Sequence, residues 1–260
     1  MIRIKNILLA VAIISLLNLP AAFSQKKAEL INTRWALSPV VADGSLSDWP
    51  DSLSMFNKET NLNYGLANDD KNVYLAIRSA SKQDLTKILA GGISFSANIE
   101  GKKKDPPTVI FPILDRTPGK NRNAREQPEL EERQQQILSR IKDIKVTGFK
   151  EIIDGGISLQ NTYGIRAAAS FDKNNNLVQE IIIPLSLLNL NTADGGEVTY
   201  SIRVNGLQIP ADRAVNQRQT TQRQPMGGMY GNQFPPRNSA VNKLLTSKEF
   251  YIKSRLATKQ

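Results

Sequence analysis

Val40-Val41-Ala42-Asp43-Gly44-Ser45-Leu46-Ser47-Asp48-Trp49-Pro50 is the stretch on which the fold of this chain turns. Asp43-Gly44 is a strong turn pair, because glycine takes positive φ without a Cβ clash and aspartate can accept from backbone N–H groups just ahead of it. Two large apolar side chains follow, Leu46 and Trp49, which can pin the turn onto a core while Asp48-Trp49-Pro50 closes it.

Upstream, residues 1–24 have the form of a secretory signal: Arg3 and Lys5, an apolar run from Ile7 to Leu19, then small residues in Ala22-Phe23-Ser24. The apolar run is shorter than the roughly 20 residues of a bilayer span, so cleavage before Gln25 is expected rather than anchoring. No second hydrophobic span follows. The chain has no cysteine, hence no disulfide and no lipid-attachment cysteine, which suits a Gram-negative periplasm or the extracellular side. Removing Arg3 and Lys5 takes the formal charge from +10 to +8. That excess could serve an anionic envelope polymer. The basic runs fall in loop-like sequence with no aromatic residues alternating with them, which argues against a nucleic-acid partner.

Downstream, Asn61 to Ala67 and Val73 to Arg78 flank a polar turn, Asn68-Asp69-Asp70-Lys71-Asn72, and predict a hairpin. Ser81 to Leu89 predicts one or two helical turns ended by Gly91-Gly92. Ile93 to Ile99 alternates strictly, so one face is buried. Thr108 to Leu114 is its return strand, and Arg116 to Arg125 is a basic loop. Pro128 to Lys142 predicts the one convincing helix, within an insertion at about 126–143. Its acidic residues lie at the N-terminal end, and its apolar stripe is Leu130, Ile137, Leu138, Ile141 and Ile144. Strands are expected at Val146 to Phe149, Ile157 to Phe171, Leu177 to Ile183, Glu197 to Leu207 and Glu249 to Leu256. Residues 211–242 are rich in Gln, Arg, Asn, Gly and Pro, and predict a disordered segment or long polar loop. The domain plan is therefore a leader at 1–24, a sandwich at 25–210, the polar excursion at 211–242, and a final strand of the same sandwich within 243–260. The fold class is all-β: a two-sheet antiparallel sandwich, jelly-roll or Ig-like, with one inserted amphipathic helix.

The chain contains no histidine, which with the missing cysteine excludes Ser-His-Asp and Cys-His catalysis, ordinary zinc sites and histidine-ligated haem. Carboxylate chemistry, Lys or Tyr chemistry, and calcium held by oxygen atoms remain.

Three pieces carry a family resemblance. Asp43 to Trp49 resembles the opening motif of family 9 carbohydrate-binding modules and the wider DOMON-like sandwiches. Asn68 to Ile77 resembles their Asp-rich hairpin entering a Leu-Tyr-Leu strand, and Glu180-Ile181-Ile182-Ile183-Pro184-Leu185-Ser186 their late Glu-x-x-Ile-Pro-Leu segment. The pieces occur in the family's order. The chain departs from the pattern at Ser96-Ala97-Asn98, where many relatives carry an aspartate, and in the helix and polar excursion, which look like additions. The resemblance implies a sandwich that binds rather than catalyses, without naming a sugar.

The candidate ligand-binding rings are Trp35, Trp49, Tyr64 and Tyr74, each of which a core could equally use. Asp43, Asp48, Asp69 and Asp70 are the candidate calcium ligands, and each also suits a turn. No cofactor is required, and no residue is assigned a catalytic role; Glu180 with Asp154 is the carboxylate pair a glycosidase would need. The expected function is an exported, non-catalytic ligand-binding sandwich, with carbohydrate or an anionic envelope polymer as partner. The alternatives are an assembly protein of the envelope, with Met226, Met229, Tyr230 and Phe234 as contact patch, and a carboxylate glycosidase.

Overall fold

The computed structural model describes residues 29–31, 33–49, 53–99, 104–115, 129–194, 196–207 and 238–259. The expected leader, the basic loop at Arg116 to Arg125, and the excursion as far as 237, with its Met and aromatic residues, lie outside the described residues.

Seven strands form one sheet in the order β1 (Glu29–Leu30), β13 (Lys248–Arg255), β12 (Glu197–Val204), β6 (Ile93–Ile99), β7 (Thr108–Leu114), β8 (Ile141–Thr147) and β9 (Gly155–Ser158). The second sheet runs β10 (Arg166–Phe171), β11 (Leu177–Pro184), β5 (Asn72–Ser79), β4 (Leu62–Asn68) and β2 (Arg34–Trp35), with β3 (Met55–Asn57) also paired to β4. The expected hairpin is β4–β5, in register from Leu62 opposite Ser79 to Asn68 opposite Val73. Alternation sends one side of each strand inward: Phe95 stacks beside Tyr200 at 5.7 Å, and Tyr64 meets Phe250 of the last strand at 5.0 Å across the core. The fold is thus the two-sheet sandwich.

It is not antiparallel throughout. β1 runs parallel to β13 and β2 parallel to β4. β1 and β2 enter as added edges, one to each sheet, and both pair with strands far away in the chain, so no tight turn imposes an antiparallel direction. Thr33 then joins the two chain ends. Its N–H donates to Ser254 Oγ at 2.9 Å, and its hydroxyl lies 2.6 Å from the Arg255 carbonyl and 2.9 Å from Asn68 Oδ1, with one proton to give to either acceptor. Asn68 Nδ2 in turn donates to the Ala257 carbonyl at 2.9 Å.

The helices correct the sequence expectation. α1 (Lys82–Gly91) is ten residues long, capped by Ser81, whose Oγ accepts from the Asp84 N–H. α2 (Leu130–Leu138) stops well before Lys142 and buries none of its residues. Ile141 and Ile144 belong instead to β8, buried in the core. Ile137, Leu138, Ile141 and Ile144 fit a helical stripe, but Ile144-Lys145-Val146 also alternates, and β7 offers the ladder that decides between the two periods. α3 (Leu185–Leu188) is a single turn, and α4 (Asn238–Leu245) occupies the junction between the polar excursion and β13, where no helix was expected.

Gln179 sits on the inward side of β11, between Leu177 and Ile181 of the core, and its amide N and O both lack a partner. A buried amide without hydrogen bonds costs free energy that an apolar side chain of similar volume does not. Gln179→Leu is expected to raise stability by about 1–2 kcal/mol, read from urea unfolding midpoints.

The two outer faces are treated differently. A second apolar cluster, in which Ala36, Val40, Trp49 and Leu53 pack over Ala67, Tyr74, Ala76 and Ile182, covers the six-stranded sheet from outside. β11 is consequently buried on both sides along nearly its whole length. Among the described residues, nothing covers the outer face of the seven-stranded sheet in the same way.

Candidate functional site

The opening motif is an anchor beneath this cover. Gly44 adopts φ +82°, turning the chain so that the N–H groups of Asp43 and Gly44 converge on one oxygen of Glu180, at 3.1 and 2.8 Å. The indole N–H of Trp49 donates to the other oxygen at 2.9 Å. Glu180 is 1% exposed. Burial pushes its carboxyl above the ordinary glutamate value, the Trp49, Gly44 and Asp43 hydrogen bonds oppose this, and the Asp43 charge adds to it. The Trp49 ring lies against Gly65 of β4, where a Cβ would come within 2.8 Å of the ring.

This placement accounts for the ring candidates. Trp49, Tyr64 and Tyr74 are core residues, at 4%, 0% and 1% exposure, and present no face on which a sugar could stack. The Tyr74 hydroxyl donates to Asp69 Oδ2 at 2.6 Å. Trp35 is half-buried on the edge strand β2. The four aspartates are turn residues rather than a cluster. Asp43 accepts from the Ser45 N–H, Asp48 from Val41, and Asp69 from Lys71 and Asn72, while Asp70 is exposed. Among the described residues no three acidic side chains come together as a metal site. Glu180 and Asp154 lie on different sheets, Glu180 under the cover and Asp154 in the β8–β9 loop, so they form no pair across a cleft.

A groove of about 630 Å³ runs over the uncovered face of the seven-stranded sheet. Its floor consists of the outward positions of β6 and β12, including Ser94, Ser96, Asn98, Thr199 and Ser201. The β6–β7 loop at Lys104 to Pro106 and the turn at Gly148 and Asp154 make one wall, and Glu249 and Tyr251 of β13 the other. Register explains the second wall, since Ser201 stands opposite Tyr251 and Arg203 opposite Glu249. Arg203 NH2 donates to both Glu249 oxygens at 3.0 Å, and the Ser201 hydroxyl donates to Oε1. Burial alone would raise the Glu249 carboxyl, but the hydrogen bonds from Ser201, Arg203 and Tyr251, with the Arg203 charge, hold it below the usual value. Glu249 is therefore a fixed, ionised acceptor, flanked by a guanidinium and a partly accessible phenol ring. A second cavity of about 470 Å³ shares Ser94, Ile110 and Arg203 with the first and extends toward Gly91, Pro112 and Asn205.

No protein-family model matches the chain, and no curated protein matches it significantly. Among solved structures, the chain is similar to a family 9 carbohydrate-binding module from Caldicellulosiruptor kristjanssonii, determined in complex with glucose. The identity is 9%, the TM-score 0.39, and the match covers 89% of this chain and 97% of that one.

Of the groove residues, sequence pointed only to Asp154, and then as half of a carboxylate pair with Glu180. The signal lies on the polar side of the alternation. Ile93 to Ile99 and Glu197 to Leu207 each present one apolar face, while the intervening positions carry Ser94, Ser96, Asn98, Thr199, Ser201 and Arg203. Short hydroxyls and an amide there, instead of the lysines and glutamates of an ordinary solvated face, leave room for a ligand. No described helix is long and apolar enough to cross a membrane.

Proposed function

We propose that this protein is an exported, non-catalytic carbohydrate-binding β-sandwich whose ligand lies in the groove over the seven-stranded sheet. The observation that carries the proposal is the groove's chemistry. Its floor is made of hydroxyl and amide groups able to donate and accept, with the preorganised Ser201–Arg203–Glu249 set along one wall and the Tyr251 ring beside it. Sugar hydroxyls need such two-way hydrogen bonding, and an accessible aromatic edge suits their C–H faces. One small phenol in place of a broad aromatic platform matches a modest affinity.

Retardation of the purified protein in polysaccharide-containing gels, followed by calorimetry on any hit, tests this. Arg203→Ala is expected to weaken binding about tenfold or more, through loss of charge-assisted hydrogen bonds. The melting temperature should move little, because a partly exposed ion pair is worth at most about 1 kcal/mol. Trp35→Ala should leave the affinity unchanged. Binding destroyed by Trp35→Ala and untouched by Arg203→Ala would move the site to the edge of the other sheet. Because the Glu249 carboxyl is held low in the folded protein, its role is complete above the ordinary value of 4.5 and is lost only as pH falls through its depressed one. Binding should accordingly be level from pH 7 to 5.

A further inference from the structure

We infer that the groove takes the interior of an extended, uncharged glycan chain, not a chain end and not an acidic polymer. The inference rests on the carbohydrate reading of the groove and deepens it. Two observations carry it, the length of the depression and the charge of its lining.

The two cavities share Ser94, Ile110 and Arg203, so they form one continuous trough along the strand direction of β6. It reaches from Asn98 at one end to Gly91 at the other. The extended part of that floor, Ile93 to Asn98, is five residue steps and spans roughly 16 Å, about three sugar units, with Gly91 at the end of α1 lying beyond it. The floor is shallow in chemistry as well as in shape. Ser94, Ser96, Asn98, Thr199 and Ser201 repeat similar polar groups along the trough, which suits a repeating ligand with similar hydroxyls in each unit. A site for a chain end would instead concentrate its polar groups around one terminal ring.

Among the described residues the lining carries three cationic side chains, Lys104, Lys145 and Arg203, and three acidic ones, Asp105, Asp154 and Glu249. The formal sum is zero, although the whole chain is +10. Arg203, at the junction of the two cavities, is already engaged with Glu249. A uronate or phosphate on the ligand would meet Lys104 and Lys145 offset by Asp105 and Asp154, and a guanidinium already paired with Glu249, so the excess positive charge of the chain does not act here.

The test is calorimetric titration of the purified protein with a length series of a neutral oligosaccharide identified by the gel screen. Each length is used with its reducing end intact and borohydride-reduced, with a uronate series of matched lengths alongside. Affinity should rise about tenfold between the disaccharide and the tetrasaccharide. It should be indifferent to reduction of the end and should exceed that for the uronate chains. Lys145→Ala, which lines the second cavity and not the first, should lower affinity for the longest chain more than for the disaccharide. A monosaccharide binding as tightly as the tetrasaccharide, loss of binding on reduction, or tighter binding of the uronate series would each overturn the inference while leaving carbohydrate binding intact. Silence toward every glycan would remove the underlying reading and the inference with it.

Discussion

Glu180→Ala is expected to lower stability by about 3–5 kcal/mol, because it leaves three N–H donors without an acceptor and each buried orphan costs about 1–3 kcal/mol. The donors are the Asp43 and Gly44 backbone groups and the Trp49 indole, all directed at this one carboxylate. Glu180→Gln, which keeps the volume and one acceptor oxygen, should cost less, about 1–3 kcal/mol. The pair of variants separates hydrogen bonding from packing in urea or thermal unfolding. If Glu180→Ala lies within about 1 kcal/mol of the parent, the turn is held by apolar contact alone. The pH dependence has a definite sign. A carboxyl raised on folding binds a proton in the folded chain before it does in the unfolded chain. The parent should therefore gain on Glu180→Gln as pH falls from the raised value toward the ordinary 4.5, and lose that gain as pH rises again.

Trp49→Ala carries the second large effect, about 3–5 kcal/mol, the usual loss when a buried large aromatic is truncated and its site cannot collapse. For a chain of this size that corresponds to a fall in melting temperature of roughly 10 °C. The shelf beneath the ring is made of small residues, Gly65 opposite Ala76, and these cannot move up to fill the space. The converse substitution follows from the same contact. Gly65→Val would press within 2.8 Å of the Trp49 ring and 2.9 Å of Leu53, an overpacking expected to cost about 1–3 kcal/mol. Combined with Trp49→Ala, it should cost less than the sum of the two, because the added methyls enter the vacated volume. Strict additivity would mean that the ring does not rest on β4. None of these variants is expected to alter the groove, which lies on the other sheet. Glycan binding by folded Glu180→Gln should match that of the parent.

Much of the architecture was legible one strand at a time. Asp43-Gly44, the turn at Asn68 to Asn72, and the alternation in Ile93 to Ile99 and Glu197 to Leu207 are local signals, since turn chemistry and period-two burial act between near neighbours. The helix at Leu130 was legible in kind and wrong in extent, because Ile141 and Ile144 satisfy two periods and only the β7 ladder chooses between them. The ring candidates Trp49, Tyr64 and Tyr74 could not be resolved from sequence, since an aromatic side chain in a strand or turn is equally suited to a core and to a ligand face.

What the amino-acid order determined by itself was the set of strands, the turn at Gly44 and the absence of any histidine or cysteine chemistry. What only the tertiary structure decided was which surface is free. Glu180 lies 131 residues from Trp49 in the chain yet accepts its indole N–H, and that contact lays the opening motif over one sheet. Among the described residues the other sheet keeps its polar face uncovered, with Arg203 brought to Glu249 by strand register across an interval of 46 residues. Contacts of this separation depend on how whole strands pair and stack, and no local pattern encodes which face a distant segment will cover.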